Sequence, residues 1–569
     1  MALITIQVMF RNKFSIRDHS IGYATAAYVI FLLACILSYA IDYITNVIQV
    51  ESFSQFLYTM QVGMGGAGNT VMQILQGFAM SCGVLIAFAT LLYVLVVWLC
   101  RQTKKEHGAE KKGSSHKSLQ TKALVTLNCG CLLSAAGGAG QFVSRINDGY
   151  SALKIDSYLE EQQTYSRLYE DHYVQPASDM IHAPKKKKNL IYIYMESMES
   201  TFSDVEHGGG FQENLIPNLT RLAMENNDFS NADDDSLNGG RVTSQTSWTV
   251  AGMTAQTSGT PLGVSNSQYN HSFEEDMLFL PNVVTLGDLL EDQGYTNMLM
   301  CGSEASYAGR SNYFRQHGNY EIFDVLTARE EGYIPEDYNE WWGFEDAKLV
   351  EFAKEKITEL ASKDEPFNFT MLTADTHFKD GYLCPDCKDE FDEQYENAIR
   401  CSDKRISEFV SWIQQQPFYK DTVIVLSGDH LSMDSLISQS VGLDFPRRTY
   451  FTVINGRRYT LDQRRDYATL DIFPTTLEAM GFDIDGHRLG LGTSLYSSEP
   501  TLVESVGFEA LNQQISYRSE RYENEILKDD GYTPGQDSEN GELPFGFSEA
   551  ESMSRAQKES EEKQRPETE

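Results

Sequence analysis

Positive charge is scarce in this chain: 46 Lys and Arg stand against 81 Asp and Glu, for a net charge of −35. A surface that grips a phosphate backbone needs the opposite balance, so the composition argues against nucleic acid as a partner. Cysteine is sparse too, nine in 569 residues. Cys35, Cys82, Cys100, Cys129 and Cys131 lie in or beside apolar stretches, which leaves four for the rest of the chain. Among those four, Cys384-Pro385-Asp386-Cys387 is a lone C-x-x-C. With no second pair it makes no zinc ribbon, and its flanks lack the strand-to-helix context of a thioredoxin-like redox site. A local structural disulfide is the favoured reading, with Cys401 as a competing partner. No internal repeat is apparent, and no small-residue cleavage site marks the first apolar run as a removable signal.

What the chain does have is three uncharged apolar stretches in its first 145 residues. They are Ser20 to Ile41, a run from about Ile74 to Cys100, and Ala123 to Val143. Each reaches the roughly 20 residues that a helix needs to cross a hydrocarbon core of about 30 Å. The third is the least apolar because of Gly137-Gly138-Ala139-Gly140, although small residues are also common where membrane helices pack. The stretch from Phe53 to Val71, rich in Gln, Asn and Gly, reads as a loop or interfacial segment. Arg11, Lys13 and Arg17 precede the first run, and Lys104, Lys105, Lys111, Lys112 and Lys117 separate the second from the third. Both basic regions are expected on the cytoplasmic side. Three crossings then put everything after about residue 145 outside the cell. The expected organisation is a multi-pass membrane domain over 1–145, a juxtamembrane linker over 146–186, an extracellular catalytic domain over 187–527 and an acidic disordered tail over 528–569.

Beyond Lys185, short apolar runs alternate with helical patterns. Strands are expected at Leu190–Met195, Thr296–Cys301, Phe367–Leu372, Thr422–Leu426 and Thr449–Ile454. Helices are expected at Asn282–Gln293, Asp346–Leu360, Tyr395–Gln415 and Asp471–Met480. This alternation predicts an α/β domain, a mainly parallel sheet sandwiched by helices. Ligands of such sheets gather at the carboxyl ends of strands. Two of these tips carry chemistry: Tyr194-Met195-Glu196-Ser197 ends in a carboxylate, and Ser427-Gly428-Asp429-His430 offers a carboxylate and an imidazole. That mixture suits Zn²⁺ or Mn²⁺. A nucleophile is available in the hydroxyl-dense run from Arg241 to Met253, where most hydroxyls are simply N-caps and turn formers. One of them, bound to a cation, could form an alkoxide near neutral pH. Trp341-Trp342 reads equally as a lipid- or glycan-facing surface and as ordinary packing.

These pieces together resemble the alkaline phosphatase and sulfatase superfamily, and within it the lipoteichoic acid synthases and the phosphoglycerol transferases that decorate periplasmic glucans. The likeness runs from about Asn189 to Leu527. It rests on Tyr194-Met195-Glu196-Ser197, Ser247-Trp248-Thr249-Val250-Ala251-Gly252-Met253, Gly302-Ser303-Glu304, Phe314-Arg315-Gln316-His317-Gly318, Thr373-Ala374-Asp375-Thr376-His377, Asp471-Ile472-Phe473-Pro474-Thr475 and the Gly-Asp-His tip. The resemblance implies one divalent metal, Mn²⁺ first and Zn²⁺ or Mg²⁺ as alternatives, held by Glu196, Asp429, His430 and the nucleophile. It puts the nucleophile on Thr246, thirteen residues before the Gly of Gly259-Thr260-Pro261, with Thr243, Ser244 and Ser247 as fallbacks. Arg310 and His377 fall on the family's substrate-binding positions. Lipoteichoic acid synthases carry an aromatic and an acid near that Arg, where this chain has Ala308 and Ser303; its Tyr307-Ala308-Gly309-Arg310 is closer to the glucan-modifying enzymes.

The resemblance implies a transferase that takes phosphoglycerol from phosphatidylglycerol and passes it, through a phosphothreonine-type intermediate, to a surface glycan or a glycerol phosphate polymer. A phosphoethanolamine transferase is the nearest alternative. A sulfatase-like hydrolase is another, but the hydroxyl-rich run lacks the Cys/Ser-x-Pro-x-Arg of sulfatases. A non-catalytic envelope sensor on a degenerate enzyme fold is the alternative of another class.

Overall fold

The computed structural model describes residues 13–47, 52–62, 70–106, 114–231, 235–263, 278–442 and 444–527. The expected acidic tail, and Lys111 and Lys112 of the basic loop, lie outside them. The chain divides into two compact units, one formed by the early helices and the other beginning at Ser157 apart from a short stretch near residue 60.

The first unit contains α1 (Lys13–Asp42), α2 (Thr70–Glu106) and α3 (Ser114–Ala152). The segments Ser20–Thr45, Ile74–Gln102 and Lys122–Ala152 are long and apolar enough to cross a membrane, in line with the three runs read from sequence. Their outward faces carry Met80 at 84% exposure and Val84 at 81%, an apolar surface suited to lipid rather than water. Small residues let the helices close up. A Cβ on Gly138 would meet the Phe31 ring at 3.0 Å and the Ala34 Cβ at 3.4 Å. Of the stretch Phe53–Val71, read as a loop or interfacial segment, residues Phe53–Val62 form a helix and 63–69 lie outside the described residues. The scattered Gln and Ser that lowered its hydropathy are compatible with a helix of mixed polarity.

The second unit is built on a six-stranded sheet. In chain order its strands are β1 (Asn189–Met195), β2 (Thr296–Cys301), β3 (Glu321–Phe323), β4 (Phe367–Leu372), β5 (Thr422–Gly428) and β6 (Phe451–Ile454). Their spatial order is β3-β2-β4-β1-β5-β6, parallel throughout except for β6, which runs antiparallel to β5. Strand β1 is central and pairs β4 on one side and β5 on the other. Its residues alternate between two apolar layers. Leu190, Tyr192 and Tyr194 enter one layer, and Ile191, Ile193 and Met195 the other. Val423 and Val425 of β5 join the first layer, Ile424 and Leu426 the second. Both faces are therefore covered, as a parallel sheet requires. Helices α4 (Thr249–Ser258), α5 (Arg310–Gln316), α6 (Asp346–Ser362), α7 (Gln394–Gln414) and α8 (Ile472–Met480) surround it.

All five expected strands are present within a few residues of their read boundaries, as are the four expected helices. The three-residue β3 had no sequence signal of its own. The later part of the expected linker is built into this unit. Leu168, Tyr169 and Tyr173 are buried in its core, and Ile181–His182 pairs antiparallel with Asp483–Ile484.

Candidate active site

Register brings the two predicted strand tips together. Met195 lies opposite Gly428 in the parallel β1–β5 ladder, so Glu196 and Asp429 leave the sheet side by side. Two glycines make the approach close enough. A Cβ on Gly428 would stand 1.9 Å from the Met198 carbonyl oxygen, and one on Gly252 would stand 2.1 Å from that of Asp429. Helix α4 is thereby pressed against the Asp429 backbone, and the Gln256 amide fastens it by donating to the carbonyl of Gly428 at 2.9 Å.

Glu196 is held from the neighbouring strand end. Its amide donates to Thr373 Oγ1 at 3.0 Å, and Thr376 Oγ1 donates to its carbonyl at 2.6 Å. Ser197, with a left-handed φ of 54°, turns its amide onto Asp429 Oδ1 at 2.8 Å and its hydroxyl onto Glu196 Oε1 at 2.9 Å. Glu199 ties the two tips together from behind. Fully buried, it accepts the Ser432 amide at 2.9 Å and both sides of the Arg447 guanidinium.

The result is a cluster of Glu196, Asp429 and His430, all buried, whose ligand-capable atoms lie within 4.8 Å of one another. His430 Nε2 is 3.4 Å from Glu196 Oε1 and 3.4 Å from Asp429 Oδ2. Its Nδ1 donates to the Leu431 carbonyl at 2.8 Å, so the neutral ring presents the Nε2 lone pair to the cluster. Burial and the neighbouring Glu196 charge push Asp429 up, while His430 is raised, despite its burial, by the two carboxylates beside it. Two buried acids at this spacing need a positive partner. The donor set fits a divalent cation: two carboxylates and an imidazole converge, and Asp429 Oδ2 is buried without a hydrogen-bond donor.

The hydroxyl at this cluster belongs to Thr249, the first residue of α4. Its Oγ1 lies 3.4 Å from Glu196 Oε2 and 3.3 Å from His430 Nε2. The expected nucleophile, Thr246, is elsewhere. It is fully buried in the turn before the helix, where its Oγ1 donates to the Thr243 carbonyl at 2.9 Å and accepts the Thr243 amide at 3.0 Å. That hydroxyl hydrogen-bonds within its own turn, whereas the hydroxyl of Thr249 faces Glu196 and His430. The signal that identifies Thr249 is positional: it opens the apolar helical run and stands three residues before Gly252, which packs on Asp429.

His377 and Arg310 reach the same region. His377 follows β4, its Nδ1 donates to the Phe378 carbonyl at 2.5 Å, and its ring packs against Trp342 at 4.8 Å. Burial lowers its pKa, and its electrostatic neighbours include Glu196, His430 and Arg310. Arg310 is buried and donates through Nη2 to Ser303 Oγ and the Glu304 carbonyl, both at 2.8 Å, while its Nε has no acceptor. Tyr307 lies under the guanidinium at 6.0 Å and beside Trp342 at 6.1 Å. Trp342 thus supplies, from another loop, an aromatic surface near Arg310. Trp341 is anchored instead, its Nε1 donating to the Ala374 carbonyl at 2.9 Å. His317, part of another quoted motif, is buried and hydrogen-bonded to the Phe279 carbonyl at 2.7 Å, a structural role.

The cysteines resolve differently from the favoured reading. The disulfide joins Cys387 to Cys401, and Cys384 remains a buried thiol.

Residues 188–482, more than half of the chain, match the family model described as Sulfatase. The chain is 33% identical over 356 residues to a protein named phosphoglycerol transferase I from Xanthomonas campestris pv. campestris (strain B100), covering 60% of this chain and 48% of that one. It is 34% identical over 340 residues to a protein of the same name from Escherichia coli (strain 55989 / EAEC), covering 58% and 41%. The chain thus spans about half the length of the curated relatives it matches. Among solved structures it is similar to lipoteichoic acid synthase LtaP from Listeria monocytogenes, at 18% identity, 58% and 81% coverage and a TM-score of 0.43. It is also similar to phosphoglycerol transferase GacH from Streptococcus pyogenes, at 15% identity, 66% and 94% coverage and a TM-score of 0.40. The sheet order, the paired strand tips and the family match lead to one conclusion: this chain belongs to the sulfatase family.

Proposed function

We propose that this protein is a membrane-anchored phosphoglycerol transferase in which Thr249, rather than Thr246, is the nucleophile. The observation that carries the reading is the hydroxyl of Thr249 lying within 3.4 Å of both Glu196 and His430 at the start of a helix. The name shared by the curated relatives supports the choice of phosphoglycerol as the group moved.

The donor is phosphatidylglycerol, and the acceptor is a hydroxyl of a surface glycan or of a glycerol phosphate polymer. A cation held by Glu196, Asp429, His430 and Thr249, Mn²⁺ as first choice, would lower the pKa of the threonine hydroxyl and draw charge from the phosphoryl oxygens. Thr249 Oγ1 attacks phosphorus, the bond from phosphorus to the diacylglycerol oxygen breaks, and a phosphoglycerol–threonine ester remains. Arg310 neutralises phosphate charge through its free Nε–H. His377, whose Nδ1 is committed to Phe378, uses Nε2: protonated, it donates to the departing diacylglycerol oxygen; neutral, it accepts the proton of the incoming hydroxyl. The acceptor oxygen then displaces Thr249 and restores it. The three apolar helices keep this unit near its lipid donor, which raises the effective donor concentration. The basic residues around them orient the catalytic unit outside the cell.

The test is to incubate purified protein with labelled phosphatidylglycerol and Mn²⁺. Diacylglycerol release that disappears in Thr249→Ala, with a trapped mass adduct on Thr249, is the expected result. Release from phosphatidylethanolamine alone would replace the donor, and no release from any phospholipid despite bound metal would overturn the reading.

A further inference from the structure

A second cluster of reactive side chains lies apart from the proposed catalytic groups. Cys384, Cys387 and Cys401 place their three sulfurs within 4.8 Å of one another. Cys387 and Cys401 are bonded, and Cys384 Sγ stands 3.5 Å from Cys387 Sγ. The Cys384-Pro385-Asp386-Cys387 segment is a turn closed by the Cys387 amide on the Cys384 carbonyl at 3.0 Å. A closed turn keeps its end Cα atoms under about 7 Å, near the range that a disulfide spans. Arg405, one helical turn after Cys401 on α7, donates from Nη2 to Cys384 Sγ at 2.9 Å and reaches Cys401 Sγ at 3.7 Å. One cation therefore touches both cysteines that could be free, and the third cysteine lies between them.

We propose that these four residues form a thiol–disulfide exchange site, in which the disulfide moves between Cys387–Cys401 and Cys384–Cys387. Cys384 gives its proton to water and attacks Cys387 Sγ as the thiolate. The Cys384–Cys387 bond forms, the Cys387–Cys401 bond breaks, and Cys401 leaves as a thiolate that takes up a proton. One disulfide and one thiol stand on each side, so no oxidant or reductant is consumed. Exchange of this kind requires a thiolate in contact with the attacked sulfur and a stabilised leaving thiolate. The 3.5 Å contact supplies the first, and Arg405 serves both sulfurs in turn. A cavity of about 430 Å³ is lined by Cys384, Arg405, Lys348 and Glu408, so the thiol faces a space that small thiol reagents can enter.

The site also has a neighbour of consequence. Arg405 is faced by the carboxylates of Asp346 and Asp375 as well as by Cys384. Asp346 accepts the amides of Ala374 and Asp375 at 2.8 and 3.0 Å, just before His377. The guanidinium thus links the sulfur cluster to the loop that carries His377.

The experiment uses the full-length detergent-purified protein at pH 8, quenched in acid after incubation, alkylated and mapped by mass spectrometry without reduction. Two populations are expected, one alkylated on Cys384 and one on Cys401. Cys401→Ser should close the Cys384–Cys387 bond under mild oxidation, and Arg405→Gln, which removes the cation in contact with Cys384 Sγ, should slow iodoacetamide labelling of Cys384 about tenfold. A melting curve confirms that each variant is folded. Alkylation confined to Cys384 at all times, with folded Cys401→Ser failing to form the new bond, overturns the proposal. So does native mass spectrometry showing all three cysteines reduced around a bound zinc.

Discussion

Thr249 and Glu196 meet beyond the carboxyl end of the central strand at 3.4 Å, although one opens a helix and the other follows a strand 53 residues earlier. Their meeting depends on Gly252, which lets the helix touch the Asp429 backbone, and on Ser197, which turns the chain after β1.

Exchanging the two threonines separates the two candidate nucleophiles. Thr249→Ala should lower phospholipid cleavage at least about 10³-fold, the scale seen when a nucleophile is removed. Thr246→Ala should keep activity within a few-fold and instead lose about 1 kcal/mol of stability, because only its turn hydrogen bonds go. Release assays beside denaturant unfolding check both.

Removing divalent metal should destabilise the protein as well as silence it. Ligand binding to the native state alone adds about 2.7 kcal/mol at a concentration one hundred times Kd. Calorimetry of chelated protein titrated with Mn²⁺ should show Tm rising, and Asp429→Asn should remove most of that rise.

The buried pair Asp346 and Asp375 predicts a stability change on the alkaline side. Burial, reinforced for Asp375 by the charge of Asp346, pushes the two carboxyls up to about 6 and about 8. Raised acids stabilise the fold in their protonated form, so their contribution is complete below the ordinary value of 3.8 and is lost as pH rises through 6 to 8. Unfolding of the chelated protein across pH 5 to 9 should show that decline, and Asp375→Asn should flatten it.

Arg310→Lys should weaken donor binding rather than chemistry. The guanidinium spends Nη2 on Ser303 and Glu304 and keeps Nε free, a division that a single ammonium cannot reproduce. A rise in KM of about tenfold with kcat changed by less than about threefold is expected from steady-state kinetics.

The strand tips were legible because both are apolar runs ending in metal-capable side chains, and a parallel sheet gathers such ends. Thr249 was not, because the run from Arg241 to Met253 is dense in hydroxyls and the start of the helix decides among them. A fixed count back from Gly259 selected Thr246, three residues before the threonine proposed here as the nucleophile. Trp342 was half-legible: its aromatic character was plain, but its place beside His377 depends on a loop fold that no periodicity encodes. The pairing of Cys387 with Cys401 depends on where α7 starts relative to the preceding turn, again a matter of three-dimensional placement.

The contact between Gly252 and Asp429 divides the site into a fixed half and an adjustable one. Because the helix and the strand tip leave no room for even a methyl group, Thr249 is fixed in place relative to Asp429. On the proposed reading, headgroup preference then resides in the neighbouring wall of His377, Trp342, Tyr307 and Arg310. The backbone beside Tyr307 and Trp342 turns through left-handed Ala308 and Trp341, at φ values of 59° and 57°. If the proposed activity holds, redirecting it toward another headgroup is a problem of exchanging these segments, with the strand tips and helix start carried over unchanged.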